Sequence, residues 1–295
     1  MLNDLKYSLD SIINKYSTLN PWTNVYGLAR SVLAFSLLLT LIFSGFDNLF
    51  PKVNGELLKQ QIFDIEKLSI FYLFNDNMII AYWICIAILI IVISGILPQI
   101  TSFLHWWVAL SYTFSGIIIE GGDQISSILT LLIIPLALTD NRINHWHKPK
   151  IRENKKLKLF VWSCYAIITL QIGIIYFHAG VAKIFVTEWQ NGTAVYYWFT
   201  HNIFGVSDSL INLTYFLLSS KIVVISITWG TILFELTLFS WLFIKRNNWN
   251  WKLLFIMAFL FHFLIALIHG LVSFGLTMTA ASILYFFPKN INIKL

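Results

Sequence analysis

Residues Leu159–Trp189 read LFVWSCYAIITLQIGIIYFHAGVAKIFVTEW. From Leu159 to Ala182 the stretch carries no Asp, Glu, Lys or Arg, and Lys183 ends the run. A helix needs roughly 20 consecutive apolar residues to cross the hydrocarbon core of a bilayer. Only a segment that satisfies its own backbone hydrogen bonds can do so. This stretch is therefore read as a membrane span. Its end sets the functional question, because a histidine and then a basic amine stand where a membrane helix stops.

The rest of the chain agrees with that reading. Of 295 residues, 58% are hydrophobic and 12% are charged, with a mean hydropathy of +0.74. A soluble domain carries about 25% charged residues. Here the charges gather in short islands between apolar segments. The fold expected is all-α, a polytopic transmembrane helical bundle with about eight spans, at roughly 26–46, 78–97, 103–119, 124–139, 159–183, 222–244, 253–269 and 271–287. Segment 210–218 (LINLTYFLL) is too short to cross and is read as re-entrant or interfacial. Residues 1–25 show no cleavable signal peptide. Leu5, Leu9, Ile12, Ile13 and Tyr16 recur at helical spacing, which predicts an amphipathic helix lying on the membrane surface. The domain organisation expected is an interfacial segment over 1–25, a transmembrane domain over 26–288 and a tail over 289–295. Cys85 and Cys164 fall inside spans and read as small hydrophobes.

Charge sets the expected orientation. With the N-terminus in the cytoplasm, that side collects Lys6, Lys15, Arg30, Arg142, Lys148, Lys150, Arg152, Lys155, Lys156, Lys158, Lys245, Arg246, Lys252, Lys289 and Lys294. The outer side keeps Lys52, Lys59, Lys67, Lys183 and Lys221, the first three offset by Asp47, Glu56, Asp64 and Glu66. The net charge of +6 thus has a topological origin and implies no nucleic-acid partner. Lys183 then falls at the outer end of its span, about 36 Å above Leu159 at 1.5 Å per residue.

A charge near the centre of a span costs roughly 2.5–3.5 kcal/mol on insertion scales, so each polar residue there needs a reason. Arg30 lies one turn inside the first span, where snorkelling to the headgroups would satisfy it. His145 and His147 (NHWHK) lie in the basic loop, and this spacing alone predicts no metal site. Glu235 and His262 share a depth of roughly 13–14 Å on adjacent antiparallel helices. They are expected to hydrogen-bond, in a structural or a functional role. At the outer level stand Glu120 and Asp123 of the EGGDQ turn, His178, Lys183, His201 and His269. A partly desolvated lysine favours its neutral form and can act as a base. Tyr176, Ala179 and Lys183 share a helix face, whereas His178 points about 140° away from Lys183. Ala179, Gly180 and Ala182 are small enough for close helix contact.

At these residues the sequence resembles a known family. YFHAGVAKIFVTEWQNG is similar to a segment of the vitamin K-dependent γ-glutamyl carboxylases and their relatives, the HTTM membrane family. EGGDQISSILTLLIIPLALTD, FTHNIF, ITWGTILFE and FLFHF resemble further family segments in the same order, over roughly residues 20–288. The N-terminal NPWTNVYGLARSVLAFSLLLTL resembles the branch found in sporulation-delaying toxin systems. There an SdpA-like protein and the membrane protein convert an SdpC-like peptide precursor into a secreted antimicrobial peptide. The resemblance implies that Lys183 is the catalytic base and that His201, Glu235 and His262 occupy family positions. Asp123 stands where the carboxylases have a histidine, and an aspartate cannot donate as a neutral imidazole does. The sequence ends at Leu295 without the large lumenal region of the carboxylases, so peptide recognition is expected to fall to a separate partner.

The function expected is a membrane-embedded maturation factor for a toxin peptide, with a catalytic group of Lys183, His201 and Asp123. Tyr176, His178, Glu120 and His269 would support them, and a reduced quinone is the cosubstrate such a family site implies. The alternative is a non-catalytic scaffold or export chaperone for the peptide, in which Lys183 only marks a helix end. A transporter is disfavoured because no internal repeat or pair of interrupted helices is visible.

Overall fold

The computed structural model describes residues 2–53, 56–57, 67–74, 77–149, 153–244, 249–290 and 292–293. Of the charges used for topology, Lys59, Asp64, Glu66, Lys150, Arg152, Lys245, Arg246 and Lys294 lie outside the described residues, as do the side chains of Leu5, Lys6, Leu9, Lys52 and Glu56.

Helix dominates. In chain order the helices are α1 (Leu2–Thr18), α2 (Asn24–Ser44), α3 (Phe46–Leu49), α4 (Ile70–Leu73), α5 (Met78–Ser94), α6 (Pro98–Ser115), α7 (Gly121–Leu138), α8 (Lys155–Ile184), α9 (Thr187–Gln190), α10 (Ala194–Phe199), α11 (Ile211–Leu218), α12 (Lys221–Ser240), α13 (Asn250–His269) and α14 (Val272–Phe286). A two-residue antiparallel ladder, β1 (Lys52–Val53) with β2 (Glu56–Leu57), is the strand pairing among the described residues. All eight segments read as spans are helical. Five of them, α2, α7, α8, α12 and α13, are long and apolar enough to cross a membrane, while α5 and α14 are shorter apolar helices. The expected N-terminal helix is present as α1, with Ile12 and Ile13 exposed. Cys85 and Cys164 are buried free thiols.

The chain forms two compact units, one of Met1–Ile168 with Leu276–Leu295 and one of Thr169–Gly275. In the first unit an apolar core joins α2, α5 and α6 through residues such as Leu37, Leu41, Tyr82, Cys85, Leu89 and Val108. α6 and α7 form a tight hairpin, closed where the Tyr112 hydroxyl donates to the Ile118 carbonyl at 2.6 Å. The segment after α14 returns to the start of α2, where Thr23 donates to the Lys289 carbonyl and the Asn24 side chain pairs with Ile293.

The NHWHK loop is built into this unit. His145 is fully buried and its amide donates to the Gly95 carbonyl at 3.0 Å. Gly95 ends α5 in the left-handed region, at φ +85°. A Cβ there would lie 2.5 Å from Asn144 Oδ1 and 2.7 Å from Trp146 Cδ1, so both conformation and space require glycine. Arg142 donates through Nε to both oxygens of Asp140 at 2.9 Å and through Nη2 at 2.6 Å, and Tyr26 donates to the same carboxylate. Burial alone would lower the Arg142 pKa. The bonds to Asp140 and the neighbouring Tyr26 outweigh that, and the net shift is upward. Arg30 does not snorkel to the surface as expected; it is completely buried and donates to Thr101. The sequence-based reading fails there because depth along a helix does not reveal which way the side chain turns, and α6 offers an acceptor on the inner face.

Candidate functional site

The second unit holds the densest polar contact among the expected site residues. α8 ends at Ile184 with Lys183 in its last turn, and Glu235 stands in α12 about 21 Å from the Lys221 end at 1.5 Å per residue. Gly173 faces Leu242, and Gly180 faces Leu236 and the Ile232 carbonyl, so glycine lets the two helices approach closely. α8 therefore stops beside the second half of α12. The chain continues alongside the first half, where the Val195 amide reaches the Thr228 hydroxyl and Gly192 faces Ile225. The short segment 210–218 forms a turn of 3-10 helix and then α11, which packs on α12.

Lys183 Nζ donates to Glu235 Oε1 at 2.8 Å, to Glu235 Oε2 at 2.7 Å and to the Ala179 carbonyl at 3.1 Å. Three acceptors match the three hydrogens of an ammonium. The side chain of Lys183 is 22% exposed and that of Glu235 is 9% exposed. Trp189, in the short α9, presents its ring 5.3 Å from the ammonium. The arrangement is a half-shielded acid–base pair whose cation lies against an aromatic face.

The expected Glu235–His262 hydrogen bond is corrected by this geometry. His262 is buried, its Nδ1 lies 2.7 Å from the Ala258 carbonyl, and its ring sits among Tyr176, Phe261 and Phe274. Matched distance along two helices carries no information on azimuth. Glu235 faces α8, and the long lysine stem closes the remaining gap.

The other expected residues have local partners or are exposed. His201 lies in the second unit, where its Nδ1 accepts from the amides of Ile203 and Phe204 at 3.2 Å and its ring stacks between Trp198 and Phe204. His269 Nδ1 lies 2.6 Å from the Phe204 carbonyl, on the other side of Trp198. These two histidines shape the 198–205 turn. Among the described residues, the hydrogen-bond partners of Lys183 are Glu235 and Ala179, so His201 is not its polar neighbour. His178 is exposed. Asp123 belongs to the first unit, where it and Glu120 form a reciprocal capping box at the start of α7, with Asp123 Oδ2 accepting from the Glu120 amide at 3.0 Å. Sequence reasoning missed the Lys183–Glu235 partnership, although both residues had been singled out. It also passed over Asp140, whose signal was an acid two residues before an arginine at a span end.

Residues 26–290 match the HTTM domain, and the chain belongs to the HTTM family. It is a membrane protein. Two relatives come from Bacillus subtilis (strain 168). The chain is 37% identical to "Uncharacterized protein YitO", over 100% of this chain and 94% of that protein. It is 35% identical to "Sporulation-delaying protein SdpB", over 97% of this chain and 88% of that protein. No solved structure matches.

Proposed function

We propose that the chain is an integral membrane factor in a sporulation-delaying type of toxin pathway, maturing a secreted SdpC-like peptide together with an SdpA-like partner. The likeness to SdpB over nearly the full length of both proteins supports the pathway. The observation that supports chemistry is the Lys183–Glu235 pair, held between apolar helices yet still reachable from one side. We read the protein as spanning the bilayer eight times with its N-terminus in the cytoplasm, as an interfacial segment over 1–25, a transmembrane domain over 26–288 and a tail over 289–295.

In this reading Lys183 is the base and Glu235 its proton store. An ion pair taken out of water keeps little of its Coulombic advantage, because both charges lose hydration. Shifting one proton from Nζ to a carboxylate oxygen leaves a neutral amine and a neutral acid within the same contact. The amine then has a lone pair available to a substrate proton, and Glu235 holds the proton it gave up. Trp189 lies against the ammonium.

A reduced quinone fits these residues. Its hydroxyl would meet the Lys183–Glu235 pair, its ring would meet Trp189, and exposed Phe185 offers an apolar path from lipid. When bound, such a group would supply two reducing equivalents.

The full set of three acceptors around Nζ favours a second reading, in which the pair is a structural clamp and the protein is a peptide scaffold or export chaperone. Lys183→Arg separates the two, since arginine keeps the charge but stays protonated at any useful pH. For a base, the variant accumulates in the membrane while mass spectrometry finds no mature toxin peptide in the medium. Mature peptide at parental levels would remove the chemistry and leave the scaffold.

A further inference from the structure

The first unit contains a buried cation whose hydrogen-bond partners are neutral. Arg30 Nη2 donates to Thr101 Oγ1, and Nη1 lies 3.3 Å from His145 Nδ1. A guanidinium only donates, so Nδ1 must accept and the imidazole hydrogen resides on Nε2. Nε2 lies 3.3 Å from Ser31 Oγ, and that hydroxyl reaches the Ile93 carbonyl at 3.3 Å. The Thr101 hydroxyl likewise ends on the carbonyls of Ile96 and Leu97, at 2.8 and 2.9 Å. Each chain of donors runs from Arg30 to a backbone carbonyl, and no carboxylate among the described residues is hydrogen-bonded to Arg30. Asp140, buried in the same unit, acts on Arg30 through its charge but is hydrogen-bonded by Arg142 and Tyr26, so one carboxylate faces two guanidiniums. His145 is no source of negative charge. Burial pushes its pKa down to about 3, with Arg30 and Arg142 adding to the shift, so it is neutral.

Three polar atoms in this region have no hydrogen-bond partner among the described residues: Arg30 Nε and both ring nitrogens of His105. His105 is 1% exposed. It lies one helical turn beyond Thr101 on the same face of α6, the face that receives Arg30, and the Arg30 charge acts on it. An unsatisfied buried polar atom costs about 1–3 kcal/mol, and an uncompensated buried charge costs more. Water would satisfy the orphaned nitrogens but would leave the charge uncompensated.

We propose that the first unit binds a small monoanion, of halide or carboxylate size, between Arg30 Nε–H and a ring N–H of His105. One negative charge balances the net positive charge of Arg30 and Arg142 against Asp140, and the same ligand gives the orphaned donors an acceptor. A dianion would overcompensate. The site is distinct from Lys183 and Glu235, which lie in the other unit.

The test is thermal unfolding of the purified full chain in micelles, followed by tryptophan fluorescence. Chloride or formate replaces gluconate at constant ionic strength. The expected result is a saturable rise in Tm, about 5–10 °C at a hundredfold excess over Kd. His105→Phe, which keeps an aromatic ring but has no N–H, should weaken the apparent affinity at least tenfold. His105→Gln, which keeps an N–H, should retain the saturable response and covers the case in which the phenylalanine variant does not fold. Absence of a saturable rise with either anion in the parent would overturn the proposal and leave water as the occupant. An equal response in parent and His105→Phe would do the same.

Discussion

Removing either partner of the Lys183–Glu235 pair leaves the other shielded from water without its counter-charge. Truncation of one member of a buried pair costs about 3–5 kcal/mol. Because Lys183 is 22% exposed, the lower end of that range applies here. Lys183→Met and Glu235→Gln are each expected to destabilise by about 3 kcal/mol, which at about 2–4 °C per kcal/mol lowers Tm by roughly 6–12 °C. The double variant replaces two charges by two neutral groups of similar volume. It is therefore expected to lose no more than either single, giving a coupling of at least about 3 kcal/mol. Denaturant unfolding of the purified chain in micelles supplies the four free energies. Glu235→Gln with His262→Phe is the control cycle and should be additive within about 0.5 kcal/mol. Additivity in the first cycle, or strong coupling in the second, would refute the assignment of Glu235 to Lys183.

Three further predictions concern the first unit and the topology. The pKa of His145 lies near 3 in the folded chain against an ordinary 6.5, so between these values the unfolded chain binds the extra proton. Stability should fall as pH drops through that window, by up to about 1.4 kcal/mol per pH unit, and His145→Gln should flatten the slope in a pH series of denaturant melts. Gly95→Ala should cost about 1–2 kcal/mol from the left-handed backbone alone, with the clash against the 144–146 loop added, read as a lower denaturation midpoint. A cysteine at Glu153 should stay unmodified by an impermeant reagent in intact cells, while one at Ile118 should react. The native thiols are buried and give little background.

The positions of the eight helices were legible in the sequence because an apolar run of sufficient length has few alternatives to helix. Gly180 was also legible as a contact point, since a missing side chain permits approach wherever the partner lies. Azimuth was not legible. For Arg30 and Glu235 only the distance along the helix could be read, and a helix turned through a few residues presents either to lipid, to a neighbour or to the core. Partners far apart in sequence decide which. His201 and Asp123 are hard to read for another reason. Each satisfies local backbone amides, at a turn and at a helix start, and those uses leave the same residue types in the sequence as a catalytic group would.

The partnership between α8 and α12 also has a consequence in time. The two partners are separated by 52 positions in the chain. At about 5–20 residues per second, a ribosome needs roughly 3–10 s to supply the carboxylate after the lysine has emerged. During that interval α8 presents an unmatched ammonium to the insertion machinery. The ion pair can close only once α12 has been made. Docking of α8 on α12 and burial of the ammonium are thus one event. The stretch 185–218 is drawn in by the same step, because its places on α12 do not exist before it.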